Sequence, residues 1–158
     1  MPSQTTTAPV VTAPVVAEAS GPLPATVRSS LDRFVRFLET SGTETPADTF
    51  APDVFADLTF PRWRVQLEGA EAMARARQEL HPWPGAVRVE QVTGDDSAYA
   101  IKLEERWRAG AQDWYCREGF ICVLDAAGRI TQLTLYCTGD WDEARVREHA
   151  AAVTLLRP

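Results

Sequence analysis

Two glutamates have the spacing needed to face each other across a pair of antiparallel strands. Residues 98–108 and 114–124 alternate apolar and polar side chains, and the alternation places Glu105 and Glu118 on the apolar faces. A tight turn at residues 111–112 would set them directly opposite, with Cβ atoms about 4.5–5.5 Å apart. Two carboxylates so close in an apolar hollow do not both ionise readily, so one keeps its proton while the other acts as a base. General acid–base catalysis requires this arrangement.

Glu118 also has a purely structural interpretation. It would then form an ion pair with one of three arginines, Arg64, Arg106 or Arg117, or a different register would turn it outward. A single bulge would change the pairing of the two strands. The interpretations differ in one expectation: replacing Glu105 by Gln abolishes turnover only if the two carboxyl groups act as a catalytic pair.

The same register predicts the side chains that surround this pair and contact a substrate. It places these pairs inside the hollow: Leu103 with Phe120, Trp107 with Cys116, Leu135 with Phe120, and Cys137 with Glu118. Cys116 and Cys137 are either nucleophiles or buried thiols that behave as small hydrophobic groups. Neither cysteine has a histidine near it in the sequence, which favours the second interpretation.

Other candidates lie near the expected mouth of the hollow. Asp57 is a candidate acid that faces either outward or toward the helices, and His81 is either an acid–base group or a solvated helix end. Arg64 holds an anionic substrate group, clamps a glutamate or forms a surface ion pair. Three tryptophans are stacking platforms for a planar ligand or rim packing: Trp63, Trp83 and Trp107.

Periodicity predicts the elements that position these side chains. Helical spacing and caps predict helices over residues 27–42, 46–50, 69–80 and 141–155, the last opened by Asp140 with Glu143 three residues later. Alternation predicts strands over residues 54–60, 65–68, 87–93, 98–108, 114–124 and 130–138. Five of the eleven prolines fall in residues 1–24, which predicts a flexible tail before a domain of residues 25–158.

This order of elements favours an α+β fold. We expect a cone-shaped α+β barrel in which N-terminal helices pack on a strongly curved antiparallel sheet, with an extra C-terminal helix. Such a cone encloses an apolar hollow, where a small ligand would bind. By strand alternation Tyr136 lies on the outer face of the sheet, which indicates a dimer contact.

Charge and cysteine content exclude several classes of function. The 158 residues carry 16 Lys and Arg against 22 Asp and Glu, a net charge of −6 without a basic cluster, so we expect neither nucleic-acid nor anionic-membrane binding. No apolar run approaches the ~20 residues of a membrane span, which predicts a soluble protein. Three cysteines without a Cys-x-x-Cys pair predict reduced thiols in the cytoplasm and no metal site.

The chain resembles the nuclear transport factor 2-like superfamily, which includes SnoaL-like polyketide cyclases, ketosteroid isomerase and limonene epoxide hydrolase. The resemblance rests on the leading helix within residues 30–42, on residues 50–55 (Phe-Ala-Pro-Asp-Val-Phe), on residues 69–72 (Gly-Ala-Glu-Ala) and on residues 128–130 (Gly-Arg-Ile). It implies the cone-shaped fold and a homodimer through the outer sheet face. The superfamily hosts both enzymes and non-catalytic binders, so the fold alone does not give the function.

The catalytic positions of the two best-known enzymes in this superfamily can be tested against the chain. The resemblance would place the three catalytic groups of the isomerase at Phe34, Leu58 and Phe120, all apolar here. It would place the aspartate–arginine–aspartate set of the epoxide hydrolase at Glu105, Leu103 and Leu135, where only Glu105 is an acid. Neither mechanism transfers to this sequence.

The sequence therefore predicts a cofactor-independent enzyme of SnoaL-like type, a cyclase, isomerase, hydratase or hydrolase of secondary metabolism. Its substrate would be a small apolar or aromatic metabolite, and its chemistry proton transfer by Glu105 and Glu118. The alternative is a non-catalytic module that binds a small ligand or dimerises, in which the acids form structural ion pairs. A third possibility, a protein-interaction adaptor, would show a shallow, filled cone and an exposed apolar sheet face.

Overall fold

A computed structural model describes residues 22–156 of the chain. The flexible tail predicted over residues 1–24 lies outside this range except for its last three residues. The helices are α1 (Ala25–Glu39), α2 (Ala70–Leu80) and α3 (Glu143–Ala152). The strands are β1 (Phe50–Thr59), β2 (Arg64–Glu68), β3 (Gly85–Asp95), β4 (Ala98–Ala109), β5 (Gln112–Leu124), β6 (Ile130–Cys137) and β7 (Trp141–Asp142). None of the helices in the described part of the chain has both the length and the apolar character needed to span a membrane.

The strands form one open, mixed sheet in the order β2-β1-β6-β5-β4-β3, and β7 pairs with β5. The predicted antiparallel meander is confirmed for β3 to β6. The prediction of a wholly antiparallel sheet is wrong, because β1 runs parallel to β6. Hairpin-length connections dictate only local pairs, whereas this pair joins strands far apart in the sequence. The α+β class is confirmed.

Helix α1 covers one face of the sheet with the apolar side chains predicted from its spacing. Val27, Leu31, Phe34 and Leu38 are all buried, and Phe37 joins them. The ring of Phe34 meets that of Phe120 on β5 edge-on at 5.0 Å. Aromatic edges and faces attract each other in this arrangement, so this contact holds α1 against β5.

Two predicted helices differ from the structure. Residues 46–50 form a turn, in which Asp48 has φ 63° and the Thr49 N–H donates to the Pro46 carbonyl, because Phe50 already pairs with Ile130 in the sheet. The closing helix begins at Glu143 rather than residue 141, and its cap is Asp142, whose carboxylate accepts from the Arg145 N–H at 2.8 Å. Asp140 does not cap it, since β7 intervenes. The helix ends at Ala152 instead of 155.

The β4–β5 hairpin turns one residue earlier than predicted. Ala109 pairs with Gln112, and Gly110 adopts φ 63°, the left-handed conformation that a two-residue hairpin turn favours. The register consequently shifts by two residues. Glu105 therefore lies opposite Cys116, and Glu118 lies opposite Leu103, so the predicted direct pairing of the glutamates is wrong.

Of the other cross-strand pairs predicted around the hollow, two are wrong and two are confirmed. The predicted partners of Phe120 on β4 and of Trp107 on β5 are both wrong: Ile101 lies opposite Phe120, and Trp114 opposite Trp107. The β5–β6 register is confirmed, with Phe120 opposite Leu135 and Glu118 opposite Cys137. A shift of two residues keeps every side chain on its predicted face, so both glutamates still point inward.

Candidate active site

A cavity of about 340 Å³ lies between the helices and the inner face of the sheet. Its wall is largely aromatic and aliphatic, formed by Phe34, Phe37, Leu58, Met73, Phe120 and Leu135. Phe34, Leu58 and Phe120 are the positions at which the resemblance would place the catalytic groups of the isomerase, and here they are wall residues. The cavity therefore suits an apolar guest, and its chemistry depends on the few polar groups that reach it.

Glu105 is bound by an arginine of α2 that lines the cavity, although its own side chain is not part of the cavity wall. Its side chain is almost fully buried, and its Oε2 atom lies 2.5 Å from Nη2 of Arg77. The same Arg77 Nη2 donates to the carbonyl of Leu38 at 3.0 Å, which fixes the guanidinium between α1 and β4. The other carboxylate oxygen, Oε1, is buried and has no partner within residues 22–156. Glu105 is therefore ion-paired through one carboxyl oxygen, while the other is buried without a partner among the described residues.

Glu118 lines the cavity without a cationic partner of its own among the described residues. Burial raises the pKa of its carboxyl well above the usual range, and the negative charge of Glu105 raises it further. Its Oε2 atom is buried and has no hydrogen-bond partner in the described part of the chain. Burial therefore favours the protonated, neutral form of this carboxyl, which borders an apolar space.

The structural interpretation of Glu118 as half of an ion pair is wrong. The three arginines considered for it pair with other acids: Arg64 with Asp57, Arg106 with Glu104 and Arg117 with Glu90. Glu105, by contrast, does have an arginine partner. The two inward glutamates therefore differ in environment, because Glu105 is paired with Arg77, whereas Glu118 lacks a cation among the described residues and its pKa is raised by burial.

His81, directly after α2, completes the polar side of the cavity. Its Nε2 atom lies 3.9 Å from Oε2 of Glu105, and its ring packs edge-on against Trp107 with centroids 4.3 Å apart. Burial, together with the positive charge of Arg77, lowers the pKa of the imidazole to about 4. His81 is therefore a neutral, buried group at neutral pH, and the interpretation as a solvated helix end is wrong.

Cys116 and Cys137 both line the cavity beside Glu118. A hydrogen bond with Cys116 lowers the pKa of the Cys137 thiol to about 7, although burial opposes this, and the Gly139 N–H donates to its sulfur at 3.3 Å. The same bond and burial raise the pKa of Cys116. Cys137 therefore has more thiolate character than its neighbour, while Cys122 is fully buried elsewhere in the core.

Asp57 and Arg64 do not belong to the cavity. The Nε atom of Arg64 lies 2.9 Å from Oδ1 of Asp57, and the exposed pair does not contribute to the cavity wall. Hydrogen bonds from Arg64 hold the pKa of Asp57 at about 2, so this carboxyl stays ionised. Of the interpretations given for Arg64, the structure shows the surface ion pair.

Of the tryptophans and Leu103 predicted to contact a ligand, only one reaches the cavity. Trp63 lines the mouth of the cavity and is 72% exposed. Trp107 and Leu103 are buried in the core without reaching the cavity wall, and Trp83 is partly exposed with its ring 6.4 Å from that of His81. Only Trp63 is therefore placed to touch a ligand, while Trp83 and Trp107 pack around His81.

Two charged residues of the cavity wall, Arg77 and Asp140, were not among the predicted site residues. Met73, Arg77 and His81 are spaced four residues apart along α2, which places them on one helical face, and that spacing was an available signal for Arg77. Asp140 lies at the mouth after β6, where partial burial and the charge of Glu105 raise the pKa of its carboxyl. Its position depends on the chain between two strands, which no local pattern indicates.

Solved structures with the same fold are numerous, although no protein-family model and no curated protein matches the sequence. An NTF-2 like protein of unknown function from Burkholderia xenovorans superposes with a TM-score of 0.56 at 14% identity, over 84% of this chain and 96% of that one. An NTF2-like protein from Anabaena variabilis gives 0.59 at 12% identity, over 73% and 88%. An LEH-like epoxide hydrolase from Mycobacterium tuberculosis gives 0.56 at 15% identity, over 71% and 81%.

Proposed function

We propose that this chain, which has the nuclear transport factor 2-like fold, is a cofactor-independent enzyme of SnoaL-like type that acts by proton transfer. Its substrate would be a small apolar or aromatic metabolite with an oxygen that accepts a hydrogen bond, such as a ketone or an epoxide. The observation that carries the proposal is the contrast between two buried carboxyl groups: Glu118, which lines the apolar cavity without a cation among the described residues, and Glu105, which is bound to the cavity-lining Arg77.

The contrast assigns a role to each carboxyl group. The neutral Glu118 carboxyl donates its proton, or a strong hydrogen bond, to the substrate oxygen. After a side-chain movement exposes it to the cavity, the buried Oε1 atom of Glu105 accepts a proton from a carbon next to that oxygen or from an attacking water. Proton return from Glu105 to Glu118 then restores the starting state, so an isomerisation or cyclisation consumes only the substrate, and an addition consumes one water as well. This sequence suits an isomerisation, a cyclisation or an addition of water.

His81 lines the cavity and is suited to carry a proton between the cavity and Glu105. Its imidazole is neutral, and its Nε2 atom lies 3.9 Å from the Glu105 carboxylate, a gap that a small rotation or one water closes. Because both ring nitrogens lack partners in the described part of the chain, the ring is free to accept at one nitrogen and donate at the other. We therefore assign His81 an auxiliary role in proton transfer.

The cavity favours a neutral substrate over an anionic one. Its volume of about 340 Å³ falls at the lower end of the range of roughly 300–1,000 Å³ for small-molecule sites. The arginine that reaches it, Arg77, is bound to Glu105, and Arg64 is bound to Asp57 outside it. A carboxylate or phosphate on the substrate would therefore lack a free cationic partner in this pocket.

The alternative is a non-catalytic module that binds a small ligand, and the Arg77–Glu105 ion pair favours it. A buried ion pair serves a structural role as readily as a catalytic one. The homodimer expected through the outer sheet face belongs to either function. Ile121 and Tyr136 are 49% and 60% exposed on that face, which supports a contact there.

The two functions are separated by an exchange experiment on a generic substrate. The probe is 2-tetralone, a neutral bicyclic ketone whose acidic C–H hydrogens exchange with D₂O when enolisation is catalysed. We expect exchange above the background rate with wild type, loss of at least about 100-fold with Glu105→Gln or Glu118→Gln, and no change with Glu104→Gln. Glu104 is the matched control because it lies next to Glu105 on the same strand but pairs with Arg88 and Arg106 instead.

Cyclohexene oxide and limonene oxide extend the same assay to the addition of water, with diol formation as the readout. Catalysis of either reaction that depends on both inward glutamates supports the enzyme. Saturable binding of 2-tetralone without exchange or hydration, equal in wild type and Glu118→Gln, supports the binding module instead.

A further inference from the structure

Two sulfur atoms and a carboxyl oxygen meet on the cavity wall. Cys116 and Glu118 point to the same face of β5, and Cys137 on β6 lies directly opposite Glu118. The Sγ atoms of both cysteines and a carboxyl oxygen of Glu118 all lie within 4.8 Å of one another. We propose that these three residues form a binding site for a thiophilic divalent cation, and that zinc is the ion whose chemistry they fit best.

The separations fit a single ion after small side-chain movements. Tetrahedral zinc holds thiolate sulfur at about 2.3 Å and carboxylate oxygen at about 2.0–2.2 Å, which places neighbouring ligand atoms roughly 3.5–3.8 Å apart. The largest separation in the cluster, at most 4.8 Å, therefore has to shorten by only about 1 Å. Neighbouring strands supply all three side chains, so the backbone need not move.

Glu118 supplies an independent indication that the cluster is incomplete without a ligand. The residue is 6% exposed, and its Oε2 atom is buried without a hydrogen-bond partner among residues 22–156. A buried polar atom without a partner is costly, and a cation bound between this oxygen and the two sulfurs would satisfy it. Zinc ligands are often oriented by such outer contacts, and the Gly139 N–H provides one by donating to the sulfur of Cys137 at 3.3 Å.

The donor set and the charge select the ion. Magnesium and calcium prefer oxygen ligands, whereas thiolates select zinc and its chemical relatives cobalt and cadmium. Two thiolates and a carboxylate bring three negative charges, of which a divalent cation offsets two, and Arg77 lies close enough to act on Glu118 electrostatically. Binding one cation to the protonated residues releases three protons, one from each thiol and one from the carboxyl.

The fourth position of the ion would open to the cavity, because all three ligands line it. A site with three protein ligands and one open position accommodates water or a ligand oxygen. The cation would also occupy the oxygen that the proposed function uses for proton donation. We therefore expect zinc to inhibit the proton-transfer activity; this consequence rests on the proposed function, whereas the binding site itself does not.

Cobalt titration tests the site directly, because tetrahedral Co²⁺–thiolate centres absorb strongly. Reduced, chelator-treated protein is titrated with Co²⁺ and then with Zn²⁺. We expect a thiolate-to-cobalt band in the near ultraviolet and intense visible bands, saturating at one ion per chain and bleached by zinc. Cys116→Ser and Cys137→Ser should each weaken binding at least about tenfold, and Glu118→Gln should do the same while leaving both sulfurs in place.

Cys122→Ala is the matched control, because Cys122 lies on β5 like Cys116 but is buried in the core outside the cavity. It should bind cobalt as wild type does. Absence of the thiolate band in wild type, or its persistence in the Cys116→Ser/Cys137→Ser double variant, overturns the proposal. If a serine variant fails to fold, as judged by near-ultraviolet circular dichroism, the wild-type band and the loss of affinity in Glu118→Gln decide. Because no step of this test measures turnover, its outcome is independent of the proposed enzyme activity.

Discussion

The Nη2 atom of Arg77 lies 2.5 Å from Oε2 of Glu105, and this pair gives the two inward glutamates different states. Arg77 forms an ion pair with Glu105 inside the fold, while Glu118 lacks such a cation among the described residues and has its pKa raised by burial and by the charge of Glu105. Proton transfer without a cofactor requires one group that donates a proton and one that accepts it, and a neutral acid next to a carboxylate provides both.

Replacing Glu118 by Gln should stabilise the protein at neutral and alkaline pH. The carboxyl of the unfolded chain ionises near 4.5, but burial keeps the folded one protonated to higher pH, so the folded state holds the extra proton in between. Wild-type stability therefore falls as pH rises above about 4.5. Gln has no proton to lose, so the melting temperature of the variant should exceed that of wild type at pH 8, with a gap that narrows toward pH 4.

Glu104→Gln should behave in the opposite way. Burial works against ionisation of Glu104, but hydrogen bonds from Arg88 and Arg106 outweigh it and lower its pKa. Its contribution to stability is present above the unfolded pKa and is lost as pH falls through the folded one. The variant should consequently melt below wild type at pH 8. A rise in melting temperature for Glu104→Gln, or a fall for Glu118→Gln, would contradict the assigned charges.

His81→Asn should flatten the acid side of the stability profile. Because the folded pKa of His81 is about 4 and the unfolded value is near 6.5, the unfolded state binds more protons between these limits. Wild type therefore loses stability as pH falls from about 6.5 to 4, by on the order of 3 kcal/mol from this residue. Urea unfolding at pH 7 and pH 4.5 should show a smaller loss in the variant. An unchanged loss would mean that His81 titrates normally.

Removing Arg77 should be costly, because it leaves Glu105 buried without its cation. Arg77→Met should lower the free energy of unfolding by about 3–5 kcal/mol, and Arg77→Met/Glu105→Gln should recover part of it. Arg75→Met, an exposed arginine on the same helix, is the control and should change little. Urea unfolding at pH 7 measures all three variants. Equal losses for the single and the double variant would show that the ion pair is not the cause.

The Asp57–Arg64 pair should not contribute to catalysis. It lies outside the cavity, and both side chains contact solvent, so Asp57→Asn and Arg64→Gln should leave 2-tetralone exchange unchanged. Any loss of melting temperature should be small and should shrink with added salt, because exposed ion pairs are screened. A large loss of exchange in either variant would show that the altered residue contributes to the active site.

The inward placement of Glu105 and Glu118 was predictable because strand alternation is insensitive to a register error of two residues. The turn was assigned one residue too late, since Gly110 at φ 63° fixes a two-residue loop that was not recognised from the sequence. Glu105 therefore lies opposite Cys116, and Glu118 lies opposite Leu103, so the two glutamates are not directly opposed. The sheet face predicted for each glutamate was correct, and the predicted cross-strand partner of each was wrong.

Tertiary packing decided the features that the sequence did not reveal. The parallel pairing of β1 with β6 joins distant segments, and the partner of Glu105 comes from α2, whose docking no local pattern predicts. Asp57 and Arg64 were candidates by residue type, yet β1 and β2 bring them together on the outside. Local patterns define which face a side chain points to, and contacts between elements then decide its charge state.

Infrared spectroscopy tests the central claim most directly, because a protonated carboxyl and a carboxylate absorb at separate frequencies. The measurement is the difference between wild type and Glu118→Gln at pH 7, in chelator-treated protein, with Glu104→Gln as the reference. The account predicts that the wild-type spectrum contains a carbonyl stretch of a neutral carboxyl that Glu118→Gln lacks and Glu104→Gln retains. A difference spectrum with carboxylate bands alone would show that Glu118 is ionised, and would contradict its role as the proton donor.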